Sequence, residues 1–351
     1  GNSYILVLAV GMVMVIIAGH IDLSVGSIAA FVGIVVAMAM RDYNLPWFVG
    51  ILLGLLLGAI IGAWQGFWVA YVGIPAFIVT LSGMMLFRGA NQFVGQSLTV
   101  PVPESFQMIG AGYLPEIPPA STNANNLTII LGVVAIVALI YADVRKRRAD
   151  VKLGVKVPPA WVPTIRLGGL AIILGYFTYL FATGRVGTSF PISGLILVGL
   201  VIIYSTLTNR TIFGRHIYAV GGNKAAAELS GVKTKRVNFL VMMNMSVLAA
   251  LSGMIFIARS AASGPSDGVM WELDAIAAVF IGGAAVSGGV GTVVGSVIGG
   301  LVMAILNNGL QLLSIGSDAT QIIKGLVLLA AVAFDVYNKT QGKPSITGYL
   351  T

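Results

Sequence analysis

The chain has 351 residues, of which 57% are apolar and only 9% charged, whereas soluble domains carry about 25% charged residues. That balance excludes a soluble fold. The absence of cysteine excludes disulfides, thiolate metal sites and a thiol nucleophile, and His20 and His216 are too few for a multi-histidine centre, so neither a metal nor a cofactor of the chain's own is expected.

The net charge of +8 fits either a nucleic-acid partner or basic loops on the cytoplasmic side of a membrane. The positions of the cations favour the membrane and leave no nucleic-acid partner to expect. A crossing takes roughly 20 helical residues to span a core of about 30 Å, so the chain has room for about ten. Apolar runs lie at 4–18, 25–40, 47–71, 74–95, 127–142, 167–182, 189–207, 237–258, 290–313 and 319–337, with a shorter run at 274–288. They predict an all-α polytopic membrane protein of about 10–11 transmembrane helices, folded as a single membrane-spanning domain over residues 1–351. The 45 glycines suit close helix packing in lipid, where apolar side chains gain little by leaving their surroundings.

Charges between the runs set an orientation. Arg145, Lys146, Arg147, Arg148, Lys152, Lys156 and Arg166 fall in the loop 143–166, and Arg210, Arg215, Lys224, Lys233, Lys235 and Arg236 in the segment 208–236; both are expected to be cytoplasmic. The stretch 96–126 holds Glu104 and Glu116, no Lys or Arg, and many Pro, Ser and Asn, as an external loop would. Counting crossings from that loop to each basic loop keeps all three assignments consistent. Beyond them, 237–258 exits, the segment around Ser263 to Asp267 is external, and 274–288 re-enters so that Lys339 and Lys343 end inside. Gly1 then lies outside, and a chain starting there on an apolar helix without an initiator Met is expected to lack an amino-terminal segment with one more helix. No cleavable signal peptide is visible.

The most informative polar stretch is Gly19-His20-Ile21-Asp22-Leu23-Ser24-Val25-Gly26-Ser27, between two apolar runs. A carboxylate facing lipid costs about 2.5–3.5 kcal/mol on insertion scales, so Asp22 is expected to face protein or water. Asp22 or Ser24 could cap the following helix in a tight turn, or the stretch could be a broken helix lining a path through the membrane. A second stretch runs from Phe213 to Gly231. Asn223 suits an N-cap, the alanines after it are strong helix formers, and Gly231 is placed to end a helix of about two turns. Asn307, Asn308 and Gln311 interrupt an apolar helix, and either line a path or tie helices together. Arg88, Arg259 and Lys324, with Glu272 and Asp274, fall toward the outer side and could snorkel to the surface.

The chain resembles the permease family of bacterial monosaccharide ABC importers for ribose, xylose, arabinose and galactose. Ile21-Asp22-Leu23-Ser24-Val25-Gly26-Ser27 matches the family's hallmark, as do Pro75-Ala76-Phe77-Ile78-Val79-Thr80-Leu81, the 213–231 stretch, and Glu272-Leu273-Asp274-Ala275-Ile276-Ala277-Ala278 followed by Gly282-Gly283 and Gly288-Gly289-Val290-Gly291. An added hairpin around the basic 143–166 loop resembles the xylose and multiple-monosaccharide permeases. The resemblance implies an alternating-access permease in the bacterial inner membrane, paired with a second copy of itself, an ABC ATPase subunit that binds the ATP, and an external sugar-binding protein.

Carried onto this sequence, the resemblance makes Gly214, Arg215, Gly222, Asn223, Ala226, Glu228 and Gly231 the ATPase coupling segment. Asp22, Ser24, Gly26, Trp64, Gln65, Trp68, Asn307 and Asn308 become candidates for the sugar path, and Glu272 and Asp274 candidates for a binding-protein rim. Trp64, Phe67 and Trp68 share one helical face, which could stack on a sugar ring or form an interfacial aromatic belt. No Gly-x-x-x-x-Gly-Lys-Ser/Thr loop occurs, so ATP hydrolysis is expected on a partner chain. No Ser/His/Asp set or His-Glu-x-x-His motif supports an enzyme. The rival readings are an importer of branched-chain amino acids or nucleosides on the same architecture, an ion-coupled transporter, and an enzyme acting on lipid-linked sugar.

Overall fold

The computed structural model describes residues 2–117, 124–154, 157–184 and 189–340. Lys156, Lys343 and residues 118–123 of the expected external loop lie outside the described residues. In chain order the helices are α1 (Ser3–Ile17), α2 (Val25–Tyr43), α3 (Trp47–Phe67, continuing as a π-helical turn over Trp68–Val72), α4 (Ala76–Val94), α5 (Glu104–Ala111), α6 (Asn126–Lys152) and α7 (Trp161–Ala182). They continue with α8 (Ile192–Arg210), α9 (Ile212–Gly222), α10 (Lys224–Leu229), α11 (Thr234–Ser260), α12 (Trp271–Ile281), α13 (Val293–Leu312) and α14 (Ser317–Thr340). Two short strands, β1 (Val100–Pro101) and β2 (Ala262–Ser263), pair antiparallel with Val100 opposite Ser263.

Among the described residues, eight helices are long and apolar enough to cross a membrane: α2, α3 with its π turn, α6, α7, α8, α11, α13 and α14. The fold is that of an all-α, multi-pass membrane protein. Every predicted apolar run coincides with a helix, but the re-entry over 274–288 differs from expectation. The helix there, α12 (Trp271–Ile281), has only 11 residues, about half the length a crossing needs, and the chain then proceeds through turns to α13.

The described residues cluster into two compact units, one of residues 1–110 with 196–351, the other of residues 111–195. In the first, α1 is buried along its whole length from Ile5 to Ile17, as suits a helix that is apolar all round. Its main partners are α11, α12 and α13. Helix α3 packs on α11 through glycines four residues apart: a Cβ on Gly58 would stand 2.7 Å from that of Ala250, and one on Gly62 2.6 Å from Met243 Cα. Such small-residue faces allow backbones to close together in a membrane.

In the second unit, α6 and α7 form a hairpin. Asn125 caps α6 by accepting from Thr128 N at 2.8 Å, and its own N–H bonds Ala182 O at 2.8 Å. Asp143 pairs with Arg166. The helix runs well past the apolar stretch that predicts it, so Arg145 to Lys152 stand on its last turns instead of in a loop, and Arg166 stands on α7. Arg and Lys are good helix formers, so the end of an apolar run marks a change of surroundings more than the end of a helix.

Candidate functional site

The break between α1 and α2 builds a buried polar cluster. Asp22 Oδ1 accepts from Ser24 N at 2.8 Å and from Ser24 Oγ at 2.6 Å, closing a local Asx-type turn. Ser24 Oγ also meets the Gln65 amide of α3, with Gln65 Nε2 donating at 3.0 Å. Thr80 Oγ1, near the start of α4, approaches Ile21 O at 3.4 Å. Asp22, Ser24, Gln65 and Thr80 are all fully buried. The sequence suggests a side-chain cap here, yet Ser24 holds the N-cap position of α2 without capping it, because its hydroxyl is engaged by Asp22 and Gln65. Asp22 Oδ2 and Ser27 Oγ are buried with no hydrogen-bond partner among the described residues.

The N-terminus of α12 meets that of α2. Gly26 and Gly268 touch backbone to backbone, so that a Cβ on either would overlap the other's carbonyl oxygen. Glu272 Oε2 would stand 2.7 Å from a Cβ at Gly26. Gly268 has φ +77° and Met270, the N-cap residue of α12, φ +69°, left-handed geometry that glycine adopts freely and Met only under constraint. The segment is pinned by Asn91 Nδ2 to Pro265 O at 3.2 Å and by Gly264 N to Asp267 Oδ2 at 2.7 Å. Burial pushes the Asp267 carboxyl above its ordinary range, opposed by that Gly264 N–H.

Glu272 and Asp274 in the first turn of α12 are 5% and 6% exposed. Arg88 of α4 lies 3.7 Å from Glu272, and Lys324 of α14 lies 2.9 Å from Asp274. Asn307 of α13 lies beside Asp274. These carboxylates, expected as candidates for a binding-protein rim, are buried and form a pair of interhelical ion pairs. Arg88 and Lys324 likewise lean on carboxylates instead of snorkelling alone. At Gly26, the glycine expected along the path, the backbone packs directly on Gly268.

Other expected path residues are divided by helix geometry. Gln65 faces the cluster, whereas Trp64 and Trp68, turned away from it on the adjoining face, are 42% and 37% exposed. Trp68 joins an aromatic row in which Phe67 contacts Trp68 and Tyr71, and Trp64 meets Phe87 of α4 edge to face. Asn307 is buried and Asn308 exposed, as neighbours about 100° apart on a helix must be.

The 208–236 segment folds as two helices. Asn223 caps α10 by accepting from Ala226 N at 3.0 Å, and Gly231 at φ +84° follows its end, as the sequence predicts. Glu228 accepts from Thr234 Oγ1 at 2.6 Å. Arg215, Gly222, Asn223, Ala226, Glu228 and Gly231 are exposed, while Gly214 is buried; a Cβ on Gly214 would overlap Thr208 O. Two features escape the sequence reading. One is the whole of α9, whose N-cap Thr211 accepts from Gly214 N at 3.1 Å; Thr-x-x-Gly is a weak cap signal. The other is Leu229, 91% exposed on a polar segment, which inspection of the sequence passes over as one apolar residue among many.

Residues 2–332 match the family described as branched-chain amino acid transport system permease components. The chain is 40% identical over 333 residues to the xylose transport system permease protein of Haemophilus influenzae, covering 95% of this chain and 86% of that one. It is 39% identical to the xylose transport system permease protein of Escherichia coli, covering 95% and 82%. A ribose import permease protein of Haemophilus influenzae is 33% identical over 95% of this chain and 82% of its own length. No solved structure matches.

Proposed function

The chain belongs to the family of branched-chain amino acid transport system permease components, and we propose that it is the membrane-spanning permease of an ABC importer carrying a monosaccharide, xylose foremost. The observation that carries the reading is the 40% identity to a xylose permease sustained over 95% of the chain. In this reading the protein sits in a bacterial inner membrane and works as a pair of identical copies. A separate external protein delivers sugar, and a separate ATPase subunit binds and hydrolyses ATP.

The ATPase meets the cytoplasmic face at α9 and α10. Exposed Arg215, Gly222, Asn223, Ala226, Glu228 and Gly231 form the polar part of the contact, and Leu229 supplies an apolar anchor of the kind that marks protein interfaces when exposed in polar surroundings. The buried cluster of Asp22, Ser24, Gln65 and Thr80 supplies hydrogen-bonding groups that sugar hydroxyls can exchange with as the α2–α12 junction opens.

The reading is tested by reconstituting the permease in liposomes with its ATPase and binding protein. Xylose uptake that requires ATP, persists when the membrane potential is collapsed and is not competed by leucine is the expected result. Uptake by the permease alone, driven by an ion gradient, would overturn it. Uptake of leucine in preference to xylose would move the chain to the amino-acid branch of its family.

A further inference from the structure

Three backbones meet where α9 touches the end of α1. Helix α1 closes in a Schellman turn: Gly19, at φ +85°, donates to Ile16 O at 2.9 Å, and His20 donates to Val15 O at 3.0 Å. The carbonyl of Ile17 is left over from this cap and accepts from Gly289 N at 2.8 Å. Gly221, near the end of α9, lies against the same oxygen: a Cβ there would overlap Ile17 O and stand 2.8 Å from Gly289 N. On the far side a Cβ on Gly289 would stand 2.8 Å from Gly222 Cα, and one on Gly288 3.0 Å from Gly19 Cα. The Tyr218 hydroxyl donates to Gly291 O at 2.7 Å.

We propose that this seam is the rigid link that carries movement of the coupling segment to the α2–α12 junction, with Gly221 and Tyr218 as its positioning residues. A contact between bare backbones has no side-chain rotamers to absorb a displacement, so a shift of α9 moves both neighbours. One neighbour is the end of α1, five residues before Asp22. The other is the 282–292 turn between α12 and α13, held together by Ala285 N to Val290 O and Gly288 N to Ala285 O, both at 3.0 Å. Both routes therefore lead to the two helix N-termini where the buried acids sit. Burial pushes the Tyr218 hydroxyl above its ordinary range.

The inference rests on the reading of α9 and α10 as the ATPase contact, and the test separates the two. Purified permease–ATPase complex is reconstituted with the binding protein, and xylose moved per ATP hydrolysed is measured. Gly221→Ala should leave copurification with the ATPase intact and hydrolysis running while xylose per ATP falls about tenfold. Tyr218→Phe, which removes one hydroxyl, should lower it about threefold. Gly199→Ala on α8, where a Cβ meets nothing within 4 Å, should leave it unchanged. Should Gly221→Ala not fold, Tyr218→Phe decides alone. Unchanged xylose per ATP in Tyr218→Phe overturns the seam; failure of the unsubstituted permease to bind the ATPase overturns the underlying reading instead.

Discussion

Removing the Lys324 ammonium should cost more stability than removing the Asp274 carboxylate, although the two form one ion pair. Lys324 Nζ stands 2.9 Å from Oδ1 and 3.0 Å from Oδ2, and the side chains are 22% and 9% exposed. In Lys324→Met the carboxylate stays buried without a cation, and breaking a buried pair from one side costs about 3–5 kcal/mol. The partial exposure of Lys324 and the neighbouring Asn307 put the expected cost at the lower end, about 3 kcal/mol. In Asp274→Asn the stranded ammonium sits on a flexible stem that can swing to the surface, and the cost falls to about 1 kcal/mol. The double substitution removes both charges and should return to within about 1 kcal/mol of the unsubstituted protein. The cycle then gives a coupling of about 3 kcal/mol. Unfolding of the purified permease in mixed micelles measures all four corners. Two single effects of equal size that add to within about 0.5 kcal/mol would refute the argument, since such a pair would have to be solvated.

Two further substitutions probe the site. Asp22→Ala strips the acceptor from both the N–H and the hydroxyl of Ser24 and should lower stability by about 2–3 kcal/mol, while Asp22→Asn keeps an acceptor and should cost about 1 kcal/mol or less; unfolding curves showing Ala as stable as Asp would sink the turn as a structural element. Leu229→Asp replaces a side chain that is 91% exposed, so the permease should keep its unfolding midpoint while its ATPase affinity drops about tenfold or more, and undiminished copurification would remove Leu229 from the contact.

What the sequence discloses and what it hides divide along a physical line. Hydropathy finds the long helices because lipid and buried protein both demand apolar side chains, and neither they nor the Asn223 cap need a distant partner to be recognised. Helix α9 is hidden because its N-terminal signal is slight and its apolar face is short. Glu272 and Asp274 read as surface acids because the partners that bury them, Arg88 and Lys324, lie on α4 and α14, far away in the chain. The glycines divide in the same way. Gly231 is legible as a helix stop, whereas Gly26 and Gly221 owe their identity to Gly268 and Ile17, which only the folded chain brings into contact.

The junction of α2 and α12 gathers three buried carboxylates, Asp22, Glu272 and Asp274, in a protein whose solvent is largely lipid, and charge balance explains how it can. Arg88 and Lys324 supply two positive charges, and each helix N-terminus contributes roughly half a charge more. Counted with the acids ionised, the sum is close to zero. The two N-termini also need acceptors for their free N–H groups, and the Gly26–Gly268 contact is what brings both ends close enough to share one set of ions. A junction neutral in this way holds no spare charge for a zwitterion, whose ammonium and carboxylate would have to displace existing partners at several kcal/mol each. A sugar carries no charge, and Ser24, Gln65 and Thr80 beside the junction are neutral too. On the reading proposed above, the electrostatics of the junction suit an uncharged solute better than an amino acid.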